Sequence, residues 1–247
     1  MRILLAAAAA LVLLSFSAPA QTADQIIAKY IEKSGGIEKM KAIKSMRTTS
    51  KFEGGGGFQA VIVSESKRPN MLRQEFQLQG MSGINAYDGK NGWKINPFSG
   101  KMDAETLGED EMKQMVEASD FDGPLVDLSS KGNKVEYLGK DDFDGSEVFK
   151  LKVTLADGTI KHYYLDTEYY LPLKVETKQF VRGTEFESET ILGDYKLVNG
   201  VYFPFSTEDG AKGSQNKSST HIEKIEVNVD LPDSRFAMPA MPAAKKP

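Results

Sequence analysis

Apolar positions in the first forty residues recur with a helical period. Thr22 and Gln25 stand in capping-box spacing, and Ile26, Ile27, Tyr30 and Ile31 then share one helix face until Ser34-Gly35-Gly36 stops it. Ile37, Met40 and Ile43 mark a second short helix, and beyond Met46 the period changes to two. Phe58, Ala60 and Ile62 alternate with other residues, as do Leu72, Phe76 and Leu78, with Arg73, Glu75 and Gln77 on the opposite face. Phe149, Leu151, Val153 and Leu155 alternate with Lys150, Lys152 and Thr154; Val201, Phe203 and Phe205, then Ile225, Val227 and Val229, repeat the pattern. Five Asp-Gly pairs (Asp88, Asp122, Asp144, Asp157, Asp209) and two Asn-Gly pairs (Asn91, Asn199) fall mostly between these runs. Such dipeptides tolerate positive φ and favour tight hairpins, so the expected sheet is mostly antiparallel. One interruption, Met102 to about Ala118, is Glu- and Met-rich and reads as an inserted helix with Leu107, Met112, Met115 and Val116 on its apolar face. Asp122-Gly123-Pro124 ends it, and Leu125, Val126 and Leu128 are expected to add a further helical turn.

The ends of the chain read differently from its middle. Met1-Arg2, an apolar run from Ile3 to Phe16 and the small-residue site Ala18-Pro19-Ala20 form a secretory signal over residues 1–20, cut before Gln21. The apolar run is shorter than the roughly 20 residues that span a bilayer, which argues against a retained anchor. No Cys follows the cleavage site to carry a lipid. Residues 21–236 contain no Ser- or Pro-rich linker and read as one domain; residues 237–247 read as a flexible Pro/Ala/Lys tail.

Composition narrows the chemistry. The 247 residues are 40% hydrophobic and 27% charged with net charge -4, ordinary for a globular protein and lacking the basic field that nucleic acid binding needs. Zero Cys and two His exclude thiolate chemistry and Cys-ligated metals and leave little for a His site, so no metal or cofactor is expected. A Cys-free exported chain fits a bacterial envelope better than a disulfide-dependent secretome. Gly54-Gly55-Gly56-Gly57 lacks the Lys and Ser/Thr of a phosphate loop and reads as a hairpin tip. Aligning Gly145 with the invariant glycine of a calcium loop puts Lys140 at its first position and Leu151 at its last, and both are wrong for calcium. No Gly-x-Ser-x-Gly elbow surrounds any Ser, both His lie in strand patterns, and acidic pairs such as Glu187 and Glu189 read as a solvated strand face. The expectation is a non-enzyme. Thirteen Phe, nine Tyr and ten Met could fill a core or line a cavity for a flexible apolar ligand.

Ala86-Tyr87-Asp88-Gly89-Lys90-Asn91-Gly92-Trp93-Lys94-Ile95-Asn96-Pro97-Phe98 resembles the strand–turn–strand signature of LolA-like outer-membrane lipoprotein-sorting proteins. The N-terminal helix, the Glu-rich insertion, Leu165-Asp166 to Leu171-Pro172-Leu173-Lys174-Val175, and Asn199-Gly200-Val201-Tyr202-Phe203-Pro204 resemble that superfamily in the same order. The resemblance implies an α+β, mostly β fold: a curved antiparallel sheet of roughly eleven strands forming an unclosed β-barrel covered by a few helices. It implies a monomeric periplasmic carrier of lipid or lipoprotein acyl chains, with an inner-membrane donor and an outer-membrane acceptor. A sensory or protein-binding module without lipid cargo is the alternative. On the matching positions Trp93 and Ile95 face the concave side, and strand alternation then nominates Phe52, Ile62, Leu72, Phe76, Phe149, Leu151, Phe203 and Phe205 as lining, with Met112 and Met115 facing in from the lid. It also implies an arginine in contact with that lid, for which Arg47, Arg68 and Arg73 are candidates.

Overall fold

A computed structural model describes residues 21–181 and 183–240; the expected signal segment, residues 1–20, and the last seven residues of the expected tail lie outside them. Thr22 caps α1 (Ala23–Lys33): its hydroxyl accepts the Gln25 backbone N–H, and the Gln25 side chain accepts the Thr22 N–H. Gly35, at φ +126°, turns the chain into α2 (Ile37–Ala42). A side chain there would also collide with the Gly200 carbonyl, because a Cβ would lie 2.2 Å from that oxygen.

Period-two sequence then forms β1 (Ser45–Gly54), β2 (Phe58–Lys67), β3 (Met71–Leu78), β4 (Met81–Tyr87), β5 (Gly92–Asn96) and β6 (Lys101–Thr106). After α3 (Glu109–Ala118) come β7 (Lys134–Phe143), β8 (Ser146–Thr154), β9 (Ile160–Asp166), β10 (Pro172–Val181) and β11 (Thr184–Gly193). The chain ends with a small hairpin of β12 (Lys196–Val198) and β13 (Val201–Phe203), then β14 (Ser206–Ala211) and β15 (Ser218–Val227). Thirteen strands form one curved antiparallel sheet in the order β6-β5-β4-β3-β2-β1-β15-β14-β11-β10-β9-β8-β7, and the sheet is not closed into a barrel. This is the expected α+β, mostly β architecture, with two strands more than the resemblance implied.

Three local expectations differ. The inserted helix begins at Glu109, because Gly108 separates it from a stretch whose backbone instead pairs with β5 (Trp93 with Thr106, Lys94 with Glu105). Leu125, Val126 and Leu128 lie in a succession of turns; Leu125 and Val126 are buried there by tertiary contacts. Asp209-Gly210 sits inside β14 rather than at a turn. Gly210 serves a close approach: a Cβ would lie 3.2 Å from the Asn216 carbonyl oxygen.

The pairing register sorts every strand into two faces. On the inner face, Leu151, Val153, Tyr163 and Leu165 pack against Ile26 and Ile27 of α1, and Leu72 and Tyr87 pack against Met115 of α3. Between these clusters Met40 and Ile43 meet Val126 and Val201. The outer face is a ladder of ion pairs, among them Lys152–Glu136, Lys174–Glu176, Lys212–Glu187 and Lys217–Glu189. At one end of that face, residues 231–236 lie across the sheet. There the Trp93 indole N–H donates to the Phe236 carbonyl at 2.7 Å, Arg235 bonds the fully buried Glu65, and Lys67 donates to the Leu231 carbonyl.

One clasp ties the helical cover to the sheet. Arg68, at the β2–β3 corner, donates through Nε to the Ile43 carbonyl (2.7 Å), through Nη2 to the Met40 carbonyl (2.9 Å), and through both terminal nitrogens to the Asp122 carboxylate. Its guanidinium stacks on Phe121, 4.4 Å from the ring centre, and Lys41 adds a second cation to Asp122. Burial pushes the Asp122 carboxyl up, but the bonds from Arg68 and Lys41 outweigh it and hold the pKa below the ordinary 3.8. A depressed carboxylate pKa stabilises the fold above the unfolded value and loses that contribution as pH falls through the folded one. Asp122→Ala, which strands a largely buried arginine, is expected to lower stability by about 3 kcal/mol in urea unfolding at neutral pH. The gap between wild type and variant should narrow below about pH 4, where wild-type Asp122 takes up its proton.

Candidate ligand-binding cavity

The inner face is packed at the β7–β9 end and hollow at the β1–β5 end. There a cavity of about 550 Å³ opens between the sheet and the first turn of α3. Phe52, Ala60, Ile62, Phe76 and Leu78 make its apolar floor, and Phe58 and Phe98 stand exposed at its mouth. The register explains the clustering: Ile62 is directly opposite Phe76 and Phe52 is opposite Ala60, so these side chains leave the sheet on one side. Gly83, opposite Phe76, has no side chain; a Cβ there would lie 2.9 Å from the Phe98 ring, so its absence admits that ring. Asn85, Lys94, Asn96 and Glu111 complete the wall on the side of α3. Glu111 bonds Lys94 at 2.6 Å and raises the lysine pKa, with Glu105 adding a second carboxylate at 3.6 Å.

A second hollow, about 670 Å³, runs along the other side of α3 past Pro69, Met112, Val116 and Leu155. Its walls also carry Lys113, Glu117, Asp120, Lys131 and Asp157, so charged side chains stand around this apolar groove. Among the described residues no group of three or more His, Asp or Glu side chains is arranged to hold a metal ion.

The twelve residues nominated from sequence divide into five places. Phe52, Ile62, Phe76 and Ile95 border the cavity. Leu72, Met112 and Met115 form the adjoining cluster with Tyr87 and Leu107 that seats α3. Phe149 and Leu151 belong to the packed core under α1; Phe203 ends the small hairpin, against the Met40 cluster, and Phe205, two residues beyond it, is buried beneath the Lys196 ammonium. Trp93 stands apart on the outer face: it pairs with Ala86, which pairs with Arg73, which pairs with Glu65, beneath the C-terminal segment. Ile95 shares that register with Trp93, so it borders the cavity from the sheet rather than projecting across it.

Phe58 and Leu78 have the same parity as Ile62 and Phe76, so alternation could have found them. Phe98 lies on a single 3-10 turn (Pro97–Ser99) where no period applies. Of the three candidate arginines, Arg68 meets the helical cover, whereas Arg47 and Arg73 pair with Glu65 on the outer face.

No protein-family model and no curated protein matches the sequence. Solved structures do match. A DUF1329 family protein from Desulfovibrio piger superposes with a TM-score of 0.62 at 10% identity, over 87% of this chain and 96% of that one. A LolA superfamily protein from Nitrosomonas europaea gives 0.58 at 13% identity, over 88% and 98%. The fold is LolA-like. A domain assigned as an outer membrane lipoprotein-sorting protein from Vibrio parahaemolyticus, at 0.54 and 15% identity over 85% and 97%, has the same architecture. At these identities the likeness is one of fold, and the ligand of this chain has to be argued from its own cavity.

In this LolA-like fold α3 rests on the sheet at Gly92. A Cβ at Gly92 would lie 2.7 Å from Leu107 Cδ1 and 3.0 Å from both Sδ and Cε of Met112. Gly92→Val is therefore expected to lift α3 at a cost of about 1–3 kcal/mol and to speed proteolysis within residues 107–118, while the β7–β9 core keeps its hydrogen-exchange protection.

Proposed function

We propose that this protein is a soluble, monomeric periplasmic carrier, exported on a cleaved signal peptide, that holds an acyl chain of a lipid or lipoprotein in the inner-face cavity. The carrier takes the chain from an inner-membrane donor and passes it toward the outer membrane. The observation behind this reading is the cavity itself. A volume of about 550 Å³ lies within the range of ligand pockets, about 300–1,000 Å³, and the floor is built from five apolar side chains of three adjacent strands. The LolA-like architecture and the lipoprotein-sorting assignment of one structural neighbour support the same ligand class. The reading gives no residue a catalytic role.

Removing an acyl chain from water is worth about 0.8 kcal/mol per methylene, but a bilayer solvates the chain equally well. Net movement therefore needs a partner that releases the lipid and another that accepts it, and the carrier need only open and close at small cost.

Uptake of an environment-sensitive apolar dye by the mature protein tests the cavity directly. Phe76→Glu places a charge on its floor and is expected to abolish uptake, whereas Gln77→Glu, one residue along on the exposed outer side, should leave it unchanged. Equal loss in both variants, or no uptake by wild type, defeats the reading. Native mass spectrometry of protein purified from its own envelope should recover a stoichiometric acyl-bearing species.

A further inference from the structure

The cavity has two walls of different chemistry. Beside the apolar row Ile62–Phe76 runs a polar row, Gln74 opposite Asn85 opposite Lys94, with Asn96 two residues on from Lys94 on the same side of β5. Asn85, Lys94 and Asn96 line the cavity, and all four side chains are half-buried. The carboxamides of Asn85 and Asn96 hydrogen-bond to no described residue, so the fold itself does not use them. Lys94, by contrast, is already matched by Glu111 and Glu105.

Each carboxamide offers two N–H donors and one carbonyl acceptor. A ligand that displaces water from this wall must replace the hydrogen bonds it removes, or bind more weakly for each one lost. A purely hydrocarbon ligand cannot do so. An ionised fatty acid could accept from the amides, but its carboxylate would sit beside Glu111 and Glu105, and the two lysines within reach, Lys94 and Lys101, are already paired with those carboxylates. An uncharged acyl ester or amide presents a carbonyl, and a neighbouring hydroxyl or N–H, with no charge to repel.

We infer that Asn85 and Asn96 are specificity-determining residues that recognise the neutral ester or amide linkage of an acylated ligand and select it over a free fatty acid. This rests on the carrier reading above and names the ligand class for the same cavity. The tail lies on Phe52, Ile62 and Phe76, and the linkage carbonyl meets the two carboxamides.

The test is displacement of the apolar dye by two ligands with the same twelve-carbon tail, 1-monolauroylglycerol and sodium laurate, at about pH 8, where the fatty carboxyl is ionised. Wild type should bind the monoacylglycerol at least about tenfold tighter, the equivalent of one or two hydrogen bonds. The double variant Asn85→Leu with Asn96→Leu should lose that preference, yet still take up the dye and keep the wild-type circular dichroism spectrum. Two results overturn the inference while leaving the cavity reading standing: dye uptake with laurate bound as tightly as the ester, or an undiminished preference in the double variant. If the dye does not enter wild-type protein, the carrier reading falls and this inference falls with it.

Discussion

The guanidinium of Arg68 is the constraint on which the arrangement depends. It reaches from the β2–β3 corner to the last carbonyls of α2, to a carboxylate in the segment that follows α3, and to an aromatic face in that segment. Three pieces of chain far apart in sequence are thereby fixed to the rim of one sheet. A lysine could hold Asp122, but its ammonium has neither the planar fork for a bidentate carboxylate nor the flat face to stack on Phe121. The low exposure of Asp122, 7% of its side chain, makes the pair expensive to break on either side.

With the cover pinned there, the sheet can give its two faces separate work. Outer-face strands pair charge with charge, which keeps a wide sheet hydrated. The two strands that end the sheet are protected by composition: β6 presents Lys101, Asp103 and Glu105, and β7 presents Lys134, Glu136, Lys140, Asp141 and Asp142. Charged edges discourage a second chain from adding to the ladder, so the barrel can stay unclosed without inviting edge-to-edge association. The inner face is then free to be packed at one end and hollow at the other.

Much of this was legible from sequence because periodicity reports which side of an element is buried. The capping box at Thr22, the alternation around Ile62 and Phe76, and the hairpin at Asn199-Gly200 each correspond to the element they suggested. Alternation cannot tell a dry core from a cavity wall. Phe149 and Phe76 carry the same signal, but α1 fills the space over the first and nothing of comparable bulk fills the space over the second. Nor can it say which face is inner. Trp93 is apolar and alternates correctly, yet it is buried on the outer side by a segment 143 residues away, a contact that no local pattern encodes. Asp209-Gly210 shows the converse limit, since glycine was needed there for backbone approach and not for a turn.

The hollow end and the weak seating of α3 belong together. Met115 is the one fully buried side chain of that helix, and its first turn carries Glu109, Asp110 and Glu111 rather than apolar anchors. Burying a methionine contributes about 1.5–3 kcal/mol, so lifting α3 costs roughly that plus the partial burial of Met112 and two ion pairs to the sheet, Lys94–Glu111 and Lys161–Glu117, each worth about 1 kcal/mol or less where water reaches it. An open state a few kcal/mol above the closed one is populated at the level of about 0.1–1%. By contrast, transferring a twelve-carbon chain from water is worth about 10 kcal/mol. On the proposed carrier reading, α3 therefore does not decide where an acyl chain ends up. On that reading it sets how quickly the cavity exchanges its contents, and the direction of transfer comes from the membranes or partners on either side.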